Sequence, residues 1–167
     1  MKLTLAKAFV AFILTLPLAG SLAAPGAAAD LADRKALTLD VVKGIAAAAE
    51  KFAAEHGWKV CIAIVDSGGQ LLYFQRDDDV QLGSIEVAIR KARTAAIFRR
   101  PSKAFADRVA TEPQVMAIPG VFAFEGGVPI VQEGQVLGAI GVSGVTNPQD
   151  GMIAQAGADA LPKILGQ

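Results

Sequence analysis

The sequence predicts an α+β domain: a single antiparallel β-sheet of about five strands flanked by helices. Three observations carry this. Apolar residues recur at helical spacing over residues 38–56 and 84–99. Apolar and β-branched runs at 59–65, 70–75, 121–124, 128–132 and 135–143 have the length and composition of strands. Glycine-bearing turns join neighbouring strands, and short hairpins make the pairing antiparallel.

Taken in order, Thr38 can cap a first helix that runs to about His56 and stops at Gly57, with Val41, Val42, Ile45, Ala48, Ala49 and Phe52 on its repeat. Residues 59–65 read as a buried strand. Asp66-Ser67-Gly68-Gly69 is a turn, and residues 70–75 are the returning strand. A polar loop over 76–83 contains Asp77-Asp78-Asp79. Ser84 is expected to cap a second helix to about Arg99, ended by Pro101. Residues 102–110 read as a short third helix, and 111–120, with two prolines, as a loop. Three strands follow, the last two joined at Glu133-Gly134. Thr146-Asn147-Pro148 starts a final helix that ends near Leu161-Pro162.

The domain is expected to begin after residue 29. Lys2 and Lys7 form a positive n-region, residues 8–16 an apolar h-region, and Ala27-Ala28-Ala29 a small-x-small cleavage site, with Ser21-Leu22-Ala23 as a second option. This is the pattern of a signal peptide over 1–29, with a mature domain over 30–167 that is periplasmic or secreted. The apolar run is short for a membrane span and ends at Pro17, so no span is expected after cleavage.

Cleavage leaves 14 basic against 16 acidic residues. No basic field exists to bind nucleic acid. The single cysteine, Cys61, can make no intramolecular disulfide, so stability must come from burial. Much of the 53% hydrophobic content is alanine, which suits close helix-on-sheet or subunit contacts and points to a homo-oligomer.

Few residues invite chemistry. No P-loop, G-x-G-x-x-G fingerprint, H-E-x-x-H or G-x-S-x-G occurs. His56, the lone imidazole, sits at a helix end, where it complements the dipole; the alternative is an axial haem or metal ligand. Cys61 reads as a small core residue. Asp77-Asp78-Asp79 lacks the spacing of a calcium loop. Glycines 126, 127, 138, 141 and 144, in or beside strands, predict close backbone approach, a bulge or a neighbouring subunit. The start of the last helix could bind an anion, with Asp150 as a competing internal cap.

The second helix is more informative. Ile85, Ala88, Ile89, Ala92, Ala95 and Ala96 form one apolar face for the sheet. Val87, Lys91, Thr94 and Phe98 fall together on another side, flanked by Arg90, Arg93 and Ile97. That mixed surface wants a partner. A subunit interface is one occupant. A flat anionic ligand is the other, with Phe98 and Val87 against its face, Lys91 or Arg93 on its carboxylates and Thr94 offering an oxygen.

These stretches resemble the GlcG/HbpS family of haem-binding proteins. The matching segments are Ile64-Val65-Asp66-Ser67-Gly68-Gly69, the helix from Ser84 through Lys91-Ala92-Arg93-Thr94-Ala95, Phe98-Arg99-Arg100-Pro101-Ser102, Pro119-Gly120, Glu125-Gly126-Gly127-Val128-Pro129-Ile130 and Gly138-Ala139-Ile140-Gly141-Val142-Ser143-Gly144. They cover nearly the whole mature chain. The resemblance implies a profilin-like α/β/α arrangement, a homo-oligomer and, for secreted members, haem binding. It points to Thr94 as a possible haem iron ligand, since a threonine in the Lys-Ala-x-Thr-Ala segment is implicated there. His56 is the lesser candidate, some relatives using a histidine. The carboxylate-x-x-Glu spacing of the sensor-type members' iron site is absent.

The expected function is an exported haem-binding protein for storage, shielding or relay, more a binder than an enzyme. One alternative is an enzyme or sensor acting on a small organic acid such as glycolate, for which Asp66 and Asp150 are the only carboxylates to nominate. The other is a regulatory partner of an envelope sensor system.

Overall fold

Helix α1, Leu39–Glu55, starts where the sequence places it. The Thr38 hydroxyl accepts from the Val41 amide, and Gly57, at φ 68°, ends the helix. These coordinates are a computed structural model that describes residues 30–167; the signal-like segment 1–29 lies outside the described residues. Strands β1 (Cys61–Asp66) and β2 (Leu71–Arg76) form the first hairpin. The Asp66 carboxylate accepts from the amides of Gly68 and Gln70 and so holds the turn.

Helix α2 spans Ser84–Phe98. Its N-cap position is Gly83, which offers no side chain, so the expected Ser84 cap is not made. Ser84 is instead the first helical residue, buried, and its hydroxyl accepts from the Gln81 side-chain Nε2 at 3.3 Å. The short helix α3, Lys103–Ala106, is briefer than expected, and the loop beyond it contains a 3-10 turn over Pro113–Ala117.

Residues 121–124 do not form the expected strand. The Phe122 amide donates to the Thr94 hydroxyl at 2.9 Å, the Val121 amide to the Ile118 carbonyl, and the Phe124 amide to the Phe122 carbonyl. These donors are spent locally, so the segment crosses α2 as an irregular strap. The sheet has four strands rather than five.

Strands β3 (Gly127–Gln132) and β4 (Gln135–Ser143) complete it, in the order β2-β1-β4-β3, antiparallel throughout. Pro129, which has no amide to donate, sits in the edge strand β3. Helix α4, Asn147–Asp159, begins at Thr146, whose amide donates to the Gln149 side chain at 3.1 Å; a short α5, Leu161–Ile164, follows it.

Strand alternation divides the core in two. Ile62, Ile64, Ile140 and Val142 face α1 and α4, whereas Cys61, Ala63, Val65 and Ala139 face α2. The result is three layers: α1 with α4, the sheet, and α2. Burial pushes the Cys61 thiol above its ordinary value, in keeping with a packing role.

The α2 side is built of small residues. Ala88, Ala92, Ala95 and Ala96 are buried there. A Cβ on Gly141 would overlap the Ala88 carbonyl oxygen, and one on Gly127 would overlap that of Lys91. The helix backbone therefore rests directly on two strand backbones.

This contact sets an expected outcome. Gly141→Val should cost at least about 1–3 kcal/mol in urea denaturation, because neither backbone can yield. Gly83→Ala, where nothing lies within 4 Å and φ is −60°, should change stability by less than about 1 kcal/mol. Equal effects at both positions would contradict the close-packing account.

Candidate functional site

Helix α2 presents three stripes, and each meets a different environment. The alanine stripe lies on the sheet. Of the stripe Val87, Lys91, Thr94 and Phe98, expected to be open, Lys91 and Thr94 are buried by the rest of the chain, while Val87 stays partly exposed. Thr94 has no exposed surface: its hydroxyl donates to the Gly120 carbonyl at 3.1 Å and accepts from the Phe122 amide at 2.9 Å. Phe98 is half-buried, edge-on to Phe105 at 5.0 Å, in a small cluster with Val115 and Val121.

Lys91 is also buried. Its ammonium donates to Asp150 Oδ2 at 2.7 Å and reaches Asn147 Oδ1 at 3.4 Å, so it joins α2 to the start of α4 around the margin of the sheet. Asp150 Oδ1 accepts from the Val145 amide at 3.2 Å. The start of α4 is capped by the Thr146–Gln149 box, and the Asp150 carboxylate holds the amide of Val145 just before the helix rather than a first-turn amide of α4. Desolvation raises the Asp150 carboxyl above its ordinary value, while Lys91 and the amides of Val145 and Gly144 pull it down.

The third stripe faces solvent: Glu86, Arg90, Arg93 and Ile97. With Gly68, Gly69 and Gln70 of the β1–β2 turn and Gly120 and Val121 of the strap, it lines a cleft of about 320 Å³. Arg93 is anchored there, Nε donating to the Gly69 carbonyl at 3.1 Å, which leaves its terminal nitrogens free to turn into the cleft. The Arg90 guanidinium stacks 4.2 Å above the Phe122 ring. Such an arrangement can pair a carboxylate with either guanidinium and lay an apolar edge on Ile97 and Val121.

The five sequence-nominated site residues therefore do not converge. Arg93 lines the cleft. Thr94 lies one layer below it, under Gly120. Phe98 supports the strap, and Lys91 is committed to Asp150. His56 is in the other helical layer, on the far side of the sheet. Its Nδ1 bonds the Phe52 carbonyl at 2.8 Å and so carries the proton, and its ring stacks on Trp58 at 4.6 Å. Among the described residues, no group of three or more His, Cys, Asp or Glu could hold a metal ion, and no helix is long and apolar enough to cross a membrane. Arg90 was visible in the sequence only as a flank of the mixed stripe. Gly120 and Val121 were missed, the glycine being read as loop and the valine as the start of a strand.

Residues 37–159 match the family of the haem degrading protein, HbpS-like. The chain belongs to this family. It is 39% identical over 108 residues to Protein GlcG of Escherichia coli strain K12, covering 64% of this chain and 81% of that protein. It is 32% identical over 133 residues to an uncharacterized 15.0 kDa protein of the dhaT-dhaS intergenic region of Citrobacter freundii, covering 77% and 94%. The crystal structure of HbpS superposes with a TM-score of 0.74 at 35% identity, covering 84% of this chain and 99% of that one. The PduOC:Heme complex does so at 0.68 and 28% identity, covering 75% and 95%. The antiparallel α+β architecture is thus the family's own.

The buried pair yields a second expected outcome. Lys91→Met or Asp150→Asn alone should cost about 3–5 kcal/mol, because each strands a buried polar partner, and the double variant Lys91→Met/Asp150→Leu should recover much of this. A raised folded-state carboxyl contributes stability that is full below its unfolded value and lost as pH rises through the folded one. The double variant lacks that term, so its stability relative to wild type should climb with pH across the acid range. Denaturant titrations at stepped pH test this; a flat difference, or single variants as mild as surface changes, would refute it.

Proposed function

We propose that this protein is an exported haem-binding protein that holds haem at the cleft between α2 and the strap. The observation that carries the reading is the pairing of two guanidiniums, Arg90 and Arg93, with the exposed Ile97 side chain in one cleft. Haem has complementary chemistry, a flat apolar ring with two carboxylates on one edge. Arg90 and Arg93 would take the propionates, and Ile97 and Val121 would lie against the ring. The family's description and the haem complex of a structural neighbour support the same ligand. Bound haem would add a redox-active iron to a chain that has no metal cluster of its own among the described residues.

The cleft is smaller than a whole macrocycle, so the ring must extend past its rim. Ile97, Met116, Ile118 and Phe124, all exposed apolar side chains near that rim, are suited to cover it or to receive a second copy in a homo-oligomer. Thr94 can reach iron only when Gly120 and Phe122 lift off its hydroxyl; with the strap in place it is a positioning residue. An open site of this kind suits storage, shielding or relay. Lys2, Lys7 and the apolar run before Ala27-Ala28-Ala29 support export to the periplasm or beyond.

A small organic acid is the second reading, favoured by the size of the cleft. Haemin titration separates the two. The haem reading expects a shifted Soret band for the wild type and about tenfold or greater weakening in Arg90→Ala/Arg93→Ala. A wild type with no Soret shift that is stabilised thermally by glycolate would overturn it in favour of the acid.

A further inference from the structure

The side chains that serve as strong axial ligands to haem iron are histidine, cysteine, methionine and tyrosine. Their positions here are informative. His56 is across the sheet from α2. Cys61 is fully buried beneath the helix. Tyr73 packs with the core on the α1 side, and its hydroxyl is engaged by the Gln75 side chain at 3.0 Å. Met152 belongs to α4, which packs on the α1 side. Among the described residues that can serve in this way, only Met116 stands beside the cleft.

Met116 lies in the 3-10 turn Pro113–Ala117, with 62% of its surface exposed. It lines a recess of about 210 Å³ together with Arg90, Val121, Phe122, Ala123 and Phe124. Arg90 and Val121 also line the main cleft, so the two depressions adjoin along that pair. The recess is aromatic where the cleft is cationic: the Phe122 and Phe124 rings lie 4.7 Å apart. A flat amphiphile laid across Arg90 and Val121 would set its carboxylates toward Arg93 and its ring toward the phenylalanines and the thioether.

We infer that Met116 is the axial ligand to haem iron in this chain, its thioether approaching the ring from the strap side of the cleft. The inference rests on the haem reading above and adds the atom that coordinates. It needs no movement of the strap, whereas coordination by Thr94 breaks both hydrogen bonds that hold Gly120 and Phe122.

The test is the optical and NMR spectrum of the haemin-loaded wild-type protein beside Met116→Leu, Met152→Leu and Thr94→Ala. Leucine at an exposed position keeps the fold, so a change reports coordination. The ferric wild type should show the weak near-infrared charge-transfer band of thioether ligation and a paramagnetically shifted methionine methyl. Both should persist in Met152→Leu and vanish in Met116→Leu, which should also bind on the order of tenfold more weakly. Met116→His should restore tight binding with an imidazole-type spectrum. A Soret shift with these signatures absent, or unchanged in Met116→Leu, overturns the ligand assignment alone; so does a spectrum that only Thr94→Ala alters. A wild type with no Soret shift overturns the haem reading and this assignment together.

Discussion

Helix α2 can exist where it does only because Gly127 and Gly141 have no side chains. Its backbone carbonyls at Lys91 and Ala88 occupy the volume that a Cβ would need at those strand positions. The alanines above them bury little apolar area each, so hydrophobic transfer is modest per residue. Close approach compensates, because every backbone atom of the helix gains dispersion partners in the sheet. Packing of this kind is rigid: a helix seated on backbone cannot slide by a fraction of a turn. The orientation of every other α2 side chain follows from this seat.

Lys91 shows the consequence most directly. Its carbonyl is over Gly127, so its side chain leaves the helix at the margin of the sheet and turns past Gly126 toward α4. There the ammonium meets Asp150. Two charges removed from water gain little net stability even when well paired. What the pair does provide is registry, since only one placement of α4 against α2 satisfies both groups. The same seat aims Thr94 at the strap, where one hydroxyl serves a carbonyl and an amide. Each such bond contributes about 0.5–1.5 kcal/mol, so the strap is held by a few kcal/mol and by the small cluster around Phe105 and Val115. It is less firmly fixed than the sheet, yet ordered enough to shape a cleft.

Most of the fold was legible because it is local. Periodicity over 38–56 and 84–99 located the two long helices, and the Asp66-Ser67-Gly68-Gly69 turn located the first hairpin. Glycines in the strands correctly signalled close backbone approach. Residues 121–124 failed because strand-like composition says nothing about who receives the amides; here a side chain from 28 residues earlier takes one of them. Ser84 failed as a cap because the helix begins one residue sooner than its hydroxyl could serve. The site was half legible. Helical geometry set the alanine face of α2 on the sheet correctly, but which of the remaining side chains stay open depends on where a distant loop returns. Lys91 looked like a surface cation because its partner lies 59 residues further on. The cleft needed the β1–β2 turn, α2 and the strap together, and no spacing in one segment encodes that.

The division of labour along α2 also limits how tightly a ligand can be held. The buried stripes are spent on architecture, so recognition is left to Glu86, Arg90, Arg93 and Ile97 with the outer face of the strap. Guanidinium–carboxylate pairs in an open cleft are screened and contribute about 0–1 kcal/mol each. Two such pairs fall well short of the roughly 8 kcal/mol that micromolar affinity requires. The remainder must come from apolar area, at about 25 cal/mol per Å², and from a coordinate bond to iron. A flat ring that covers Ile97, Val121 and the two phenylalanines can supply the area, whereas a two-carbon acid cannot. On the proposed reading, this asymmetry favours haem over glycolate more strongly than cleft volume favours the smaller acid. It also suggests a carrier that releases its cargo. Part of the ring would lie outside the cleft, and one wall of the cleft is a strap held by a few kcal/mol. A second copy seated on Ile118 and Phe124 would cover the rest, so tighter holding would track assembly rather than any change within one chain.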